Sequence, residues 1–267
     1  MTGQMGGFGP GGAEAGGSGS GGIRLEHLGH SGLRLRMGGG SLVVDAPQRV
    51  DDPVVVTWTE RERVEGARAG KGPLAAAPAV LTWLGRAGTV LGESWPTSFH
   101  GFLLQARPFT PIPYATAPEA LRKTWSAVRA PTRALGRVVF TLGRPDTPPL
   151  ALTVERAGCR VALLSQALHR FLAPNDLAAL ALWAGPVDLV VAGTDYDDEA
   201  ATGAMIGAFD ARVRVLADLT GAIRRTLGLP VRPLDVALRA APAGTLLLEV
   251  GTTIDLPHVP DARSSRG

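Results

Sequence analysis

The residues able to do chemistry gather early in the chain: His27 and His30 lie close together, Asp45 closes an aliphatic run, and Glu60, Arg61, Glu62, Arg63 and Glu65 follow in alternating sign. Imidazoles and carboxylates can move protons or hold a divalent cation, whereas arginine set among carboxylates forms ion pairs instead. His100, His169 and His258 are scattered, and His27 and His30 fall on a strand and a turn that need not aim them together. The five histidines are therefore not read as a metal centre. Asp195, Asp197, Asp198 and Glu199 lack the glycine and the spacing of a calcium loop, so they read as the charged start of a helix. Cys159, the one cysteine, excludes an internal disulfide or a multi-cysteine metal site. It reads as an inert thiol in a turn beside Arg160. Ser31 lacks the flanking glycines of a nucleophile elbow.

Positioning these groups requires a sheet, and the pattern supplies one. Ile23, Leu25 and His27 alternate, Gly29-His30-Ser31-Gly32 makes a turn, Leu33, Leu35 and Met37 alternate again, and Leu42-Val43-Val44 follows the Gly38-Gly39-Gly40 hairpin. Val54-Val55-Val56 is a β-branched run suited to a strand buried on both faces. Further strands are predicted over 80–84, 103–107, 138–142, 150–155, 160–164, 187–192 and 245–250. Helices are predicted over 119–128 behind Pro118, from an Asn175 or Asp176 cap through Trp183, and over 200–209 and 217–227. Trp83, Trp95, Trp125 and Trp183 read as core or interface anchors.

At 267 residues and 45% hydrophobic, the chain is long enough for one large core. Residues 1–22 are glycine-rich and poor in apolar surface, which predicts a disordered tail ahead of a domain over 23–257 and a flexible tail over 258–267. The net charge is +3, carried almost wholly by dispersed arginines, with Lys71 and Lys123 the lysines. Dispersed charge does not single out a nucleic-acid face. No segment reads as a leader or a membrane span, which makes the cytoplasm the expected location.

The segment Leu25 to Pro47, with Leu28-Gly29-His30-Ser31-Gly32 and a strand ending in Asp45, resembles the opening of the metallo-β-lactamase superfamily, particularly its UlaG-like branch. Val54-Val55-Val56-Thr57 arrives where that family's aliphatic strand enters its H-x-H-x-D-H loop. Leu150 to Leu164 resembles the hairpin before its metal-bridging aspartate, and Val187 to Tyr196 the strand after. The resemblance covers residues 23–256, dense at the start and loose after Gly66. It implies an α/β four-layer αββα sandwich with the site at the strand ends. Laid on the metal loop, Trp58, Glu60, Glu62 and Arg63 stand where the family has histidine, histidine, aspartate and histidine, and Gln166 stands for the bridging aspartate. Pro111 to Ala117 has no histidine for the later ligands.

The former pocket implied by the resemblance comprises His30, Asp45, Trp58, Glu60, Glu62, Arg63 and Gln166. No catalytic residue, metal or other cofactor is assigned to it. Arg61 or Arg63 is expected either to fill the metal's place and neutralise Asp45, Glu60 or Glu62, or to belong to a solvated loop that starts a helix. His30 is expected to serve structure first, bonded to Asp45 or a backbone group. The resulting reading is a non-catalytic interaction, assembly or regulatory subunit whose partner is a protein or further copies of itself, with Trp95 to Tyr114 as a contact surface. A hydrolase with a non-standard or metal-free site around His30, Asp45, Glu60 and Glu62 is the alternative, and a nucleic-acid-binding protein the second.

Overall fold

The computed structural model describes residues 22–59, 61–92, 95–109, 145, 147–164, 174–193, 203, 205–218 and 234–257, with backbone alone for 61, 62, 174 and 234–236. The first sheet is built from Ile23–Gly29 (β1), Gly32–Met37 (β2), Gly40–Val44 (β3), Val54–Val55 (β4), Leu74–Ala76 (β5), Thr89–Val90 (β6) and Thr253–Leu256 (β14), in the order β14-β1-β2-β3-β4-β5-β6. The second is built from Thr97–Phe99 (β7), Phe102–Pro108 (β8), Leu150–Arg156 (β9), Cys159–Leu164 (β10), Val187–Gly193 (β11), Ala211–Ala217 (β12) and Leu246–Leu248 (β13), in the order β13-β12-β11-β10-β9-β8-β7. Each sheet joins an antiparallel half to a parallel half. In the first, β14 to β3 are antiparallel and β3 to β6 parallel. In the second, β7 to β10 are antiparallel and β10 to β13 parallel.

Side-chain alternation then assigns the layers, because successive residues of a strand face opposite sides of a sheet. Leu42 and Val44 of β3 enter a core between the sheets with Leu25, Leu35, Leu104, Leu152, Val154, Leu163 and Val191. Val43, one position away, faces outward with Val54 and Val56 onto Val64 and Ala67 of Arg61–Ala69 (α1) and onto Val80 and Leu81 of Pro78–Leu84 (α2). On the second sheet Ala162, Leu164, Val190 and Ala192 face the other way, onto Leu180 and Ala184 of Pro174–Ala184 (α3) and Ala237 of Leu234–Ala240 (α4). Helices cover both outer faces, giving the αββα sandwich. On the rim opposite the ends of the parallel strands, Arg156 lies over the Phe102 ring at 4.7 Å and donates to the carbonyls of His100 (2.9 Å) and Gly38 (3.3 Å), tying together hairpins of both sheets.

Several expectations need correcting. Residues 80–84 are not a strand but lie in α2: Pro78 suits a first helical turn, and Gly85 at φ 62° ends the helix with bonds back to Thr82 and Leu81. Strand β5 lies earlier, at Leu74–Ala76. The chain through Ala217 is strand β12 rather than a helix start. It escaped notice because Arg212 and Arg214 interrupt its apolar run; Arg214 turns aside to the Phe209 carbonyl and Arg212 to Asp188. The closing strand is shorter than 245–250, and β6, β7 and β14 were not foreseen. The predicted tails, the helix over 119–128, the strand over 138–142 and most of the helix over 217–227 lie outside the described residues, whereas within 200–209 residues 203 and 205–207 are helical. No helix among the described residues is long and apolar enough to cross a membrane.

Gly66 is the point at which α1 meets the sheet. Its N–H donates to the Ala46 carbonyl at 2.9 Å, and a methyl group here would run into the Gln48 carbonyl and Ala46. Helix propensity alone would make Gly66→Ala stabilising by about 1 kcal/mol. Overpacking should reverse the sign and leave a net loss of about 1–3 kcal/mol. Glu65→Ala on the exposed face should stay within about 0.5 kcal/mol in the same denaturant titration.

Candidate functional site

Parallel pairing of β3 with β4 brings Val44 level with Val55, so the segments leaving both strands emerge together on one rim. Asp45 is the first residue past β3. Its N–H donates to the Val55 carbonyl at 2.8 Å, and its backbone takes φ 53°, a left-handed conformation that aspartate tolerates better than most residues. The turn aims its carboxylate at the segment leaving β4. There the Thr57 N–H donates to Oδ1 at 2.7 Å and the Thr57 hydroxyl to Oδ2 at 2.6 Å. Arg63, in the first turn of α1, donates from Nη1 to the same Oδ2 at 2.5 Å.

Asp45 and Arg63 are both 0% exposed. Of the two readings of the charged stretch, the structure contains the ion pair. Burial pushes the Asp45 carboxyl up from the usual carboxylate range, while the Arg63 charge and the two Thr57 bonds oppose that push. A buried pair like this holds because three donors meet the carboxylate; desolvating either ion alone costs several kcal/mol. Half-buried Trp58 lies beside the pair, its ring centroid 5.9 Å from the Arg63 guanidinium carbon, within reach of a cation–π contact. The Thr57 carbonyl accepts from Leu150 N–H at 2.9 Å, which fastens this loop to the start of β9 in the other sheet.

His30 belongs to a different cluster. It sits in the β1–β2 turn at φ 48°, its carbonyl accepting from His27 Nε2 at 3.1 Å, and its own Nδ1 is buried without a hydrogen-bond partner. Of the two expected partners, Asp45 or a backbone group, Asp45 is not bonded to that nitrogen. His27 is fully buried, and its Nε2–H bond leaves the unprotonated Nδ1 also buried and unpartnered. Burial pushes the His27 imidazolium down, partly offset by the His30 carbonyl and by nearby buried Asp218. Asp218, just past β12, was missed because strand β12 itself was missed. Thr57 was read only as a strand end; its place between an aliphatic run and a charged stretch was the available signal.

The other candidates take structural places. His100 forms the β7–β8 turn with its ring edge-on to Phe99, and Cys159 is buried in β10, its thiol pushed up by burial and then by Asp188. Glu60 and Gln166, the side chain of Glu62, and Asp195 to Glu199 lie outside the described residues. Among the described residues, no group of three His, Cys, Asp or Glu side chains is placed to hold a metal ion.

The fold matches solved structures. The chain superposes on Igni18, a metallo hydrolase from the hyperthermophilic archaeon Ignicoccus hospitalis, with TM-score 0.59 and 12% identity over 89% of this chain and 100% of that one. YhfI from Bacillus subtilis, a metallo-β-lactamase fold protein, gives TM-score 0.56 and 10% identity over 88% and 99%. The isothiocyanate hydrolase from Delia radicum gut bacteria gives 0.51 and 12% over 88% and 99%. No family model and no curated protein sequence matches the chain. At these identities the likeness establishes the fold, and that fold is the metallo-β-lactamase fold.

The metal ions implied by the resemblance do not fit the described donors. The indole nitrogen of Trp58 and the guanidinium of Arg63 have no lone pair to give, and Arg63 already occupies the Asp45 carboxylate with a positive charge.

Replacing Arg63 by Met leaves Asp45 buried and uncompensated, and should cost about 3–5 kcal/mol in denaturant unfolding. Adding Asp45→Asn should return part of that loss, whereas a simple packing role for Arg63 would make the two effects additive. His27 gives a pH signature. The fold favours its neutral form while the unfolded chain takes up a proton near pH 6.5. Its stability contribution is therefore complete above that pH and is lost as pH falls below it. The melting temperature should decline on acidification from pH 6.5, and His27→Gln, which keeps a donor for the His30 carbonyl, should flatten that decline.

Proposed function

We propose that this chain is a non-catalytic protein of the metallo-β-lactamase fold that acts through contacts with other proteins or with its own copies. The buried Arg63 guanidinium bonded to Asp45 carries the reading. A cation supplied by the chain itself neutralises the carboxylate, and the Thr57 amide and hydroxyl donate to both of its oxygens. Hydrolysis by a bound metal needs neutral or anionic donors and an open position for water, and an arginine buried against Asp45 and beside Trp58 offers neither. The edge of the sandwich favours an interaction role: β6 and β7 are both terminal strands, Val90 on β6 is 51% exposed, and Trp95 between them is 79% exposed. Exposed aromatic and aliphatic groups beside strands that are terminal among the described residues suit a protein contact.

A second reading, a hydrolase with a non-standard site, draws on one observation: the buried, unpartnered Nδ1 atoms of His27 and His30. Nitrogens held without a hydrogen bond at a rim are candidates for proton transfer. Its bearing on this chain is also favoured by the names of Igni18 and the isothiocyanate hydrolase.

Elemental mass spectrometry of the untagged protein, dialysed without chelator, separates the readings. The expected result is well under 0.1 zinc, manganese or iron per chain on an order-of-magnitude scale, with Arg63→His failing to recruit metal on its own. Near-stoichiometric metal in the wild-type protein would restore a metallohydrolase. A metal-free protein whose ester hydrolysis disappears in His30→Ala would favour the second reading.

A further inference from the structure

On the rim that carries Asp45, a cavity of about 380 Å³ opens between the sheets, walled by Ala77, Val90, Leu91, Ala106, Pro108 and Leu150. It is separate from the ion pair: neither Asp45, Thr57 nor Arg63 lines it, although Leu150 in its wall holds the Thr57 carbonyl. Its described lining is almost entirely aliphatic, with no charged side chain. The exception is Thr147, whose Oγ1 is buried and has no hydrogen-bond partner.

From these walls and this hydroxyl we infer that the cavity is a binding site for a small, uncharged, mainly apolar molecule bearing one hydrogen-bonding group, which Thr147 Oγ1 meets. Size supports a ligand: a cavity of about 150 Å³ already holds benzene, and ligand sites begin near 300 Å³. This one takes a molecule of roughly ten to twenty non-hydrogen atoms on that scale. Its mouth is open to solvent, but water deep within it is held poorly, because each buried water needs two to four polar partners and the described walls offer few. Charge is disfavoured, since a desolvated ion would find no counter-charge in the described lining. The hydroxyl fixes the ligand's single polar group, because a buried oxygen left unpaired is unfavourable and a ligand donor or acceptor relieves it. The inference holds whether or not the neighbouring ion-pair site is catalytic.

The test uses 2-naphthol, a bicyclic probe with one hydroxyl, titrated calorimetrically into the full chain, with naphthalene and 2-naphthoate as comparisons. The expected result is saturable one-to-one binding of 2-naphthol in the micromolar range, with 2-naphthoate at least about tenfold weaker because its charge is stranded. Thr147→Val should weaken 2-naphthol by about three- to tenfold, the worth of one neutral hydrogen bond, and leave naphthalene unchanged. Ala79→Trp, at the exposed mouth of the cavity, should abolish binding of both at an unchanged melting temperature. Val90→Trp fills the same space from β6 should the first variant fold poorly. No saturable binding of 2-naphthol, or binding indifferent to Thr147→Val and to both filling variants, overturns the inference. So does a concentration-dependent dimer that Val90→Glu dissolves while 2-naphthol fails to bind, which would give the cavity to a second copy.

Discussion

A carboxylate and a guanidinium, both withdrawn from water, hold the rim on which the parallel strands of the first sheet end. Neither ion is tolerable there without the other, because the interior cannot solvate an isolated charge and arginine cannot shed its proton. That mutual need fixes the geometry around it. Asp45 must take a left-handed turn to aim at the β4 exit, Thr57 must present both its amide and its hydroxyl, and α1 must lie close enough for its first turn to reach the carboxylate. The glycine at position 66 permits the last of these, because a larger residue would lift α1 away from Ala46. The chain from β3 through α1 therefore behaves as one unit organised about a single carboxylate.

The rest of the sandwich is built by a less specific force. Burial of aliphatic side chains on both faces of both sheets leaves the strands as short runs of Val, Leu and Ala, and alternation sorts each residue to the inner core or to a helix. Apart from Thr153 within β9 and His27, the buried polar residues of the described chain sit at the rim or in turns. His27 is the instructive exception: it occupies an inward position of β1 that its neighbours Ile23 and Leu25 fill with hydrocarbon, so its proton equilibrium is set by burial before any partner acts.

Much of this was legible in the residues. The alternation of Ile23, Leu25 and His27, the glycine hairpin before Leu42 and the unbroken Val54-Val55-Val56 mark strands by period and by β-branching, and those strands carry the rim. The loop after them was legible as a charge pattern. Which arginine turned inward was not, because Arg61 and Arg63 differ in helical phase and not in type, and phase depends on where α1 begins. Short parallel strands such as β5 and β6 were invisible for a related reason: two or three residues give no period, and they exist because neighbouring strands offer them hydrogen bonds. α2 was misread since four apolar residues after a proline suit a buried strand as well as a helix turn, and only the left-handed Gly85 and its two back-bonds decide between them. Thr57 and Asp218 were passed over because their roles depend on what the fold sets opposite them.

The pairing of β14 with β1, which places Leu256 beside Ile23 and leaves Arg24 near Asp255 across the strand edge, bears on how the molecule is made. A ribosome releases β1 to β3 early, and they can form a hairpin meander at once. The outer edge of β1 then waits until nearly the whole domain has followed, with every strand of the second sheet emerging before the strand that covers it. Contacts so distant in sequence form slowly, and an uncovered strand edge is a template for the wrong chain. The charged Arg24 and Glu26 on that edge discourage such pairing during the wait. Nascent chains stalled before residue 253 thus present a nearly complete sandwich with a further unprotected margin at β1, the species on which a chaperone would have most to do.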